Sequence, residues 1–63
     1  MARRSKGKEL TDIACEIRAE TAAAYRIYDG MITEWVPKSQ VEWNEDEGTM
    51  TMPTWLAQEK GFL

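Results

Sequence analysis

An alternation of apolar and polar residues is the clearest pattern in the first half of the chain. Ile13, Cys15 and Ile17 lie on one parity with charged residues among those between them, which is typical of a half-buried strand. The competing interpretation is one face of a helix, formed by Leu10, Ile13, Ala14, Ile17 and Thr21 and followed by three alanines. Periodicity alone therefore leaves strand and helix open over residues 11–25.

A hairpin is predicted around Asp29-Gly30. Apolar and polar residues alternate before this pair, over 25–28, and after it, over 32–36. Asp-Gly between two such runs favours a type I′ turn, because both central residues of that turn take positive φ. A two-stranded hairpin is marginal in water, so it needs a third strand. Residues 12–18 supply that strand, which favours the strand interpretation of this segment.

Two further strands are predicted after the hairpin. Pro37-Lys38-Ser39 interrupts the alternation and indicates a bend, because proline cannot donate to the ladder of a sheet. Residues 40–43 then resume a strand pattern, with Val41 and Trp43 on one face. Residues 44–48 are predicted to form a polar turn, and residues 49–52 alternate as a short last strand.

The C-terminal residues predict a short helix. Pro53 stands where a helix would begin, with Thr51 as a candidate cap, and Gly61 follows about two helical turns later. Phe62 and Leu63 are expected to fold back on this helix. The predicted fold class is therefore α+β: a small, bent, barrel-like antiparallel sheet of four or five short strands with a short C-terminal helix.

Large side chains supply the core of such a small domain. The residues predicted to form it are Trp43, Trp55, Met31, Met50 and Met52. Trp35 has the opposite strand parity from Ile32 and Val36, so either Trp35 or the pair faces outward. Trp35 or Tyr28, if exposed, is a candidate anchor for a partner, because aromatic side chains dominate the energetics of interfaces.

Composition excludes most enzyme chemistry. The 63-residue chain has no histidine and one cysteine, so it lacks a His/Cys zinc set, a Ser-His or Cys-His pair and an internal disulfide. A domain of this size also offers little concave volume in which a carboxyl pKa can be raised. We therefore predict a non-enzymatic protein with no catalytic residues, metal, other cofactor or small-molecule substrate. The unpaired Cys15, with no signal-peptide pattern or long apolar run, predicts a cytoplasmic protein outside the membrane.

Charge is distributed unevenly along the chain. Residues 1–8 contain four basic and no acidic side chains, a charge of +4, whereas the rest contains four basic and eleven acidic ones, a charge of −7. We therefore divide the chain into a flexible basic arm, residues 1–9, and a single acidic α+β domain, residues 10–63. The arm residues that are candidates for contact with nucleic acid are Arg3, Arg4, Lys6 and Lys8.

Acidic residues also cluster locally within the domain. Four of them, Glu42, Glu45, Asp46 and Glu47, fall within six positions, and the predicted sheet places Asp29 and Glu34 on neighbouring strands. The run lacks the ligand spacing of a calcium-binding loop, so no metal site is predicted. Two interpretations remain: a solvated hairpin tip, and a surface that attracts a basic partner.

Three segments of the domain resemble a group of short phage and prophage proteins. They begin with Ala19-Glu20-Thr21, with Glu34-Trp35-Val36-Pro37-Lys38-Ser39 and with Met52-Pro53-Thr54-Trp55-Leu56-Ala57. The resemblance covers nearly the whole chain after the basic arm and implies a β-rich body and a mobile-element context, without an assigned chemistry. Residues 22–24 depart from it, because three alanines are a weak start for a strand.

Two functional hypotheses follow from these features. Small acidic phage-type proteins without catalytic machinery resemble anti-CRISPR and other anti-defence proteins. The leading hypothesis is an inhibitor whose acidic face mimics nucleic acid and docks on the basic surface of a host CRISPR effector or nuclease. Its partner-binding residues would be Asp29, Glu34, Trp35, Glu42, Glu45, Asp46 and Glu47. The alternative is a nucleic-acid-binding accessory protein of phage replication or recombination that uses the basic arm and exposed aromatics, and the small core also leaves a homodimer open.

Overall fold

The computed structural model describes residues 9–63, which contain six short strands and one α-helix. The strands are β1 (Leu10–Ala14), β2 (Glu16–Glu20), β3 (Ala24–Tyr28), β4 (Thr33–Pro37), β5 (Glu42–Asn44) and β6 (Thr49–Pro53). The helix is α1 (Thr54–Lys60), and a 3₁₀ turn, Lys38–Gln40, follows β4. The predicted α+β class with a C-terminal helix is confirmed. The predicted contacts of Arg3, Arg4, Lys6 and Lys8 lie outside the described residues.

The strands belong to two antiparallel sheets, which we call the first and the second sheet. The first has the order β1-β6-β5 and the second the order β2-β3-β4. We predicted one barrel-like sheet of four or five strands; the described residues instead form six strands in two sheets, and neither sheet is closed. The difference arises at Cys15, which divides the predicted strand over 12–18 into β1 and β2. β1 pairs with β6 of the β5–β6 hairpin, and β2 pairs with β3 of the β3–β4 hairpin. The one apolar alternation therefore contributes a strand to each of the two sheets.

Side chains from both sheets and from the helix share one core. Ile13 lies opposite Met50 in the first sheet, and Ile17 lies opposite Ile27 in the second. The buried members of the core are Ile13, Ile27, Val36, Met50, Met52, Leu56 and Ala57. Burial of each large aliphatic side chain stabilises the fold by roughly 1.5–3 kcal/mol, so the common core holds the two sheets together.

The tryptophans and methionines divide between the core and the surface. Met50 and Met52 are fully buried, and Trp43 and Trp55 pack half-buried against the core, as predicted. The prediction was wrong for Met31, which is 88% exposed because it lies in the turn between β3 and β4 rather than on a strand.

The turn between β3 and β4 confirms the predicted hairpin but not its centre. The amide of Asp29 donates to the carbonyl of Ile32 at 3.2 Å, so Gly30 and Met31 are the central residues. Gly30 has φ of +104°, a conformation that residues with a Cβ rarely adopt. The turn is thus shifted by one residue from the predicted Asp29-Gly30 centre.

The C-terminal helix has the predicted end but not the predicted cap. Gly61 ends α1 with φ of +90°, and the amide of Phe62 donates to the carbonyl of Ala57 at 2.8 Å, so the last residues fold back. Pro53 occupies the N-cap position without a side-chain hydrogen bond. The predicted cap, Thr51, does not bond to the helix because its hydroxyl is engaged within the first sheet.

Candidate binding surfaces

Two hairpin turns lie on either side of Cys15. Ala14 lies opposite Thr49 at the start of β6, and Glu16 lies opposite Tyr28 at the end of β3. The amide of Cys15 donates to the carbonyl of Gly48 at 3.1 Å, which fixes the β5–β6 turn at this junction. The register therefore brings the ends of both sheets together, although the two turns are far apart in the sequence.

The carboxylate of Asp29 holds the β3–β4 turn. Its Oδ1 accepts the amides of Met31 at 2.9 Å and of Ile32 at 2.8 Å. These hydrogen bonds favour the ionised form and lower the pKa of Asp29 below its ordinary value. Asp29 is thus a turn-forming residue whose charge also lies next to Cys15.

The outer face of the first sheet carries a polar network. Asp12, Thr51 and Glu42 form one row across β1, β6 and β5. The hydroxyl of Thr51 donates to Oδ1 of Asp12 at 2.6 Å and accepts Nδ2 of Asn44 at 2.8 Å. The buried Met50 and Met52 lie on the other parity of β6, so this row faces away from the core.

The β5–β6 turn, at one end of the same sheet, carries three exposed carboxylates. Glu45, Asp46 and Glu47 follow β5, and the amides of Glu47 and Gly48 donate to the carbonyl of Asn44. We call Asp12, Glu42, Glu45, Asp46 and Glu47 the acidic surface. The sequence of β1 and of residues 42–53 contains no lysine or arginine, so no basic side chain within these segments neutralises it.

The acidic surface differs from the predicted partner-binding set. The structure places Asp29, Glu34 and Trp35 with the second sheet, whereas Glu42, Glu45, Asp46 and Glu47 belong to the first. The 3₁₀ turn Lys38–Gln40 separates β4 from β5, and each strand joins a different sheet. Glu34 is half-buried opposite Ile27, so it shares the parity of the core side chains. Asp12 was not predicted, because only the pairing of β1 and β5 with β6 places it in the same row as Glu42, with Thr51 between them.

The outer face of the second sheet combines arginine and aromatic side chains. Arg26 lies opposite Trp35, and Tyr28 lies opposite Thr33. An irregularity between Ile17 and Ala19 places Arg18 so that its guanidinium carbon lies 4.6 Å from the centroid of the Tyr28 ring. We call Arg18, Arg26, Tyr28 and Trp35 the arginine–aromatic face. Sequence analysis did not single out the arginines, although Arg26 alternates with the apolar residues of its strand.

Lys38 has a structural role in the bend after β4. Its ammonium forms an ion pair with the carboxylate of Glu20 and lies 4.9 Å from the centroid of the Tyr25 ring. The amide of Lys38 also donates to the carbonyl of Ala23 at 2.8 Å. Lys38 therefore ties the bend to β2 and β3.

Cys15 has a free, half-buried thiol. Burial raises its pKa, the nearby Asp29 charge raises it further, and a hydrogen bond to the backbone of Met50 acts in the opposite direction. Within residues 9–63, no group of three or more metal-ligating side chains comes together. Among the same residues, no helix has the length and apolar composition that crossing a bilayer requires.

Comparisons with protein-family models, with curated proteins and with solved structures gave no match. The resemblance to phage proteins therefore stays an expectation from the sequence motifs.

Proposed function

We propose that this protein is a non-enzymatic phage-type inhibitor that binds a host nucleic-acid-handling defence complex through its acidic surface. The observation that carries the proposal is the row of Asp12 and Glu42 on the outer face of the first sheet, together with the three exposed carboxylates of the β5–β6 turn. Carboxylates spread along a rigid sheet resemble the phosphates of a nucleic acid in charge and in extended arrangement. A CRISPR effector or nuclease offers the complementary surface, because it binds nucleic acid with lysine and arginine.

The rigid part of the acidic surface supports this proposal. Asp12 accepts a hydrogen bond from Thr51, and Thr51 accepts one from Asn44, so the Asp12 carboxylate is ordered before a partner binds. Ordered charges lose less conformational entropy on binding than free side chains do. The side chains of Glu45, Asp46 and Glu47 are exposed, and within residues 9–63 none of them takes part in a hydrogen bond or ion pair.

The proposal also covers where the protein acts. A CRISPR effector or nuclease that handles invading DNA works in the cytoplasm of the host cell. The free thiol of Cys15 is compatible with that reducing compartment. Long-range attraction between the acidic surface and a basic partner gives fast association that weakens as salt is added.

The test uses two variants that change the net charge equally. The first combines Glu45→Gln, Asp46→Asn and Glu47→Gln, and the second combines Gln58→Lys and Glu59→Lys on helix α1; each adds +3 to the net charge of −3. We expect the wild type and the helix variant to retain a nucleic-acid-handling complex from nuclease-treated host lysate. We expect the turn variant to lose it.

The retained complex is then purified and assayed for binding of its nucleic acid. The wild type and the helix variant should compete with that nucleic acid, and the turn variant should compete at least ten-fold less well. Equal retention of the complex by both variants would show that net charge, rather than the acidic surface, attracts the partner. Loss of retention after nuclease treatment would favour the nucleic-acid-binding alternative.

A further inference from the structure

The arginine–aromatic face lies on the second sheet, whereas the acidic surface belongs to the first. Trp35 is 41% exposed, whereas its neighbour Val36 is fully buried. Among the described residues, Trp35 is the one strongly exposed large apolar side chain on the strands of the second sheet. Its ring is therefore accessible on the outer face of the second sheet beside Arg26, and an accessible ring of this kind suits a planar ligand.

Positive charge lies directly beside this ring. Arg26 is exposed and lies opposite Trp35 in the register of β3 and β4. Within residues 9–63, no carboxylate lies within ion-pair distance of the Arg26 guanidinium. Among the described residues, the Arg26 guanidinium therefore forms no ion pair, and its cross-strand neighbour is the exposed ring of Trp35.

A shallow depression adjoins the pair. It has a volume of about 400 Å³ and is lined by Arg18, Arg26, Tyr28 and Thr33. Arg18 lies over the Tyr28 ring and pairs with Glu16 at 3.3 Å, so its guanidinium is held in place with half of its side chain still exposed. Two guanidinium groups from neighbouring strands therefore border one cavity, while the ring of Trp35 lies next to one of them.

We propose that the arginine–aromatic face binds a single-stranded nucleic acid, with one base stacked on Trp35 and the adjoining phosphates held by Arg26 and Arg18. Stacking on an exposed aromatic ring and phosphate contact with arginine are the two interactions that single-strand-binding sheets combine. The carboxylates of the acidic surface belong to the other sheet. The proposal is independent of the proposed function, because it uses none of the acidic surface.

The test measures binding of a short fluorescein-labelled oligothymidine to the full chain by fluorescence anisotropy. Trp35→Leu removes the ring, and Trp35→Phe retains a smaller one. Since stacking contributes about 1–3 kcal/mol per base, we expect Trp35→Leu to weaken binding by about 5- to 150-fold. Trp35→Phe should weaken binding less than Trp35→Leu does, because the smaller ring still stacks on a base. Circular dichroism of each variant verifies that the domain remains folded.

Salt dependence separates Arg26 from the other basic residues. Each phosphate contact with a single strand contributes a slope of about −0.7 to the plot of log affinity against log salt. Arg26→Gln should therefore make the slope shallower by about 0.7, whereas Lys60→Gln, which removes the same charge from helix α1, should not change it.

Three results would overturn the proposal. One is the absence of binding to the oligothymidine by the wild type. Another is equal binding by the wild type and Trp35→Leu, which would assign the nucleic acid to the basic residues of positions 1–8. The third is equal binding of a duplex of the same length, because paired bases are not free to stack on Trp35. None of these results bears on retention of a defence complex by the acidic surface.

Discussion

Gly61 lies against Ile32: a Cβ at Gly61 would come within 3.3 Å of Cδ1 of Ile32. This contact brings the end of α1 to the β3–β4 turn of the second sheet. The first residue of the same helix contacts the chain just before β1 of the first sheet. There the amide of Thr54 donates to the carbonyl of Glu9 at 2.8 Å. A helix of seven residues thus connects the two sheets at both of its ends.

We predict that Gly61→Ala destabilises the domain more than Gly48→Ala. Both glycines have positive φ, at +90° and +68°, so both substitutions force alanine into the left-handed region at a cost of about 1–2 kcal/mol. Only at Gly61 does the new methyl group also meet another side chain, that of Ile32. Urea unfolding followed by circular dichroism should rank the two variants in this order. Equal losses would mean that the Ile32 side chain moves aside freely.

We predict opposite outcomes for two methionine-to-alanine variants. Met50 is fully buried and lies opposite Ile13, so Met50→Ala should lower the free energy of unfolding by about 2–5 kcal/mol. A single core in a domain of this size rarely supplies more than about 3–5 kcal/mol, so much of the variant should be unfolded. Met31→Ala should change it by less than about 0.5 kcal/mol, since Met31 is 88% exposed. Thermal unfolding of both variants checks this difference.

We predict that Asp29 contributes to the loss of stability in acid. Its pKa is lower in the folded protein than in the unfolded chain, so its contribution is complete above the unfolded pKa and is lost as pH falls through the folded one. The melting temperature of the wild type should therefore decrease as the pH is lowered below about 4. The melting temperature of Asp29→Asn should decrease less steeply over the same pH range. Asp29→Ala should be less stable than Asp29→Asn at neutral pH, because asparagine keeps an oxygen acceptor for the two turn amides. Parallel acid profiles for the wild type and Asp29→Asn would contradict this role.

We predict that Cys15 reacts slowly with alkylating reagents at neutral pH. Burial and the Asp29 charge raise the pKa of its thiol, and only the thiolate is the nucleophile. The rate of alkylation by iodoacetamide, measured against pH, should give an apparent pKa above that of the unfolded chain. Asp29→Asn should lower this pKa, whereas Asp46→Asn is the control that should leave it nearly unchanged. An apparent pKa that is the same in both variants would rule out the influence of Asp29.

Local patterns predicted much of the secondary structure. The alternation around Asp29-Gly30, the proline at position 37 and Gly61 indicated a hairpin, a bend and a helix end, and all three are present. The prediction of one continuous strand over residues 12–18 was wrong. Ile13, Cys15 and Ile17 alternate without a break, yet β1 and β2 separate at Cys15 because their partners are β6 and β3.

The candidate surfaces were also predicted only in part from the sequence. Exposure of Trp35 was one of two outcomes that strand parity allowed, and the burial of Val36 decided between them. The grouping of Glu34 with Glu42 was not realised, because the two strands that carry them entered different sheets. Asp12 and Arg18 were not identified, since a register and a strand irregularity bring them to Glu42 and Tyr28.

The sequence by itself determined the α+β class, the acidic character of the domain and the positions of most turns, because these depend on residue types and on contacts between near neighbours. Tertiary structure alone decided that there are two sheets over the described residues, which carboxylates share a face and which arginines stand beside an exposed ring. Strand pairing joins residues that are distant in the chain, and the choice among possible pairings is made by burial of the common core. No local pattern contains that choice.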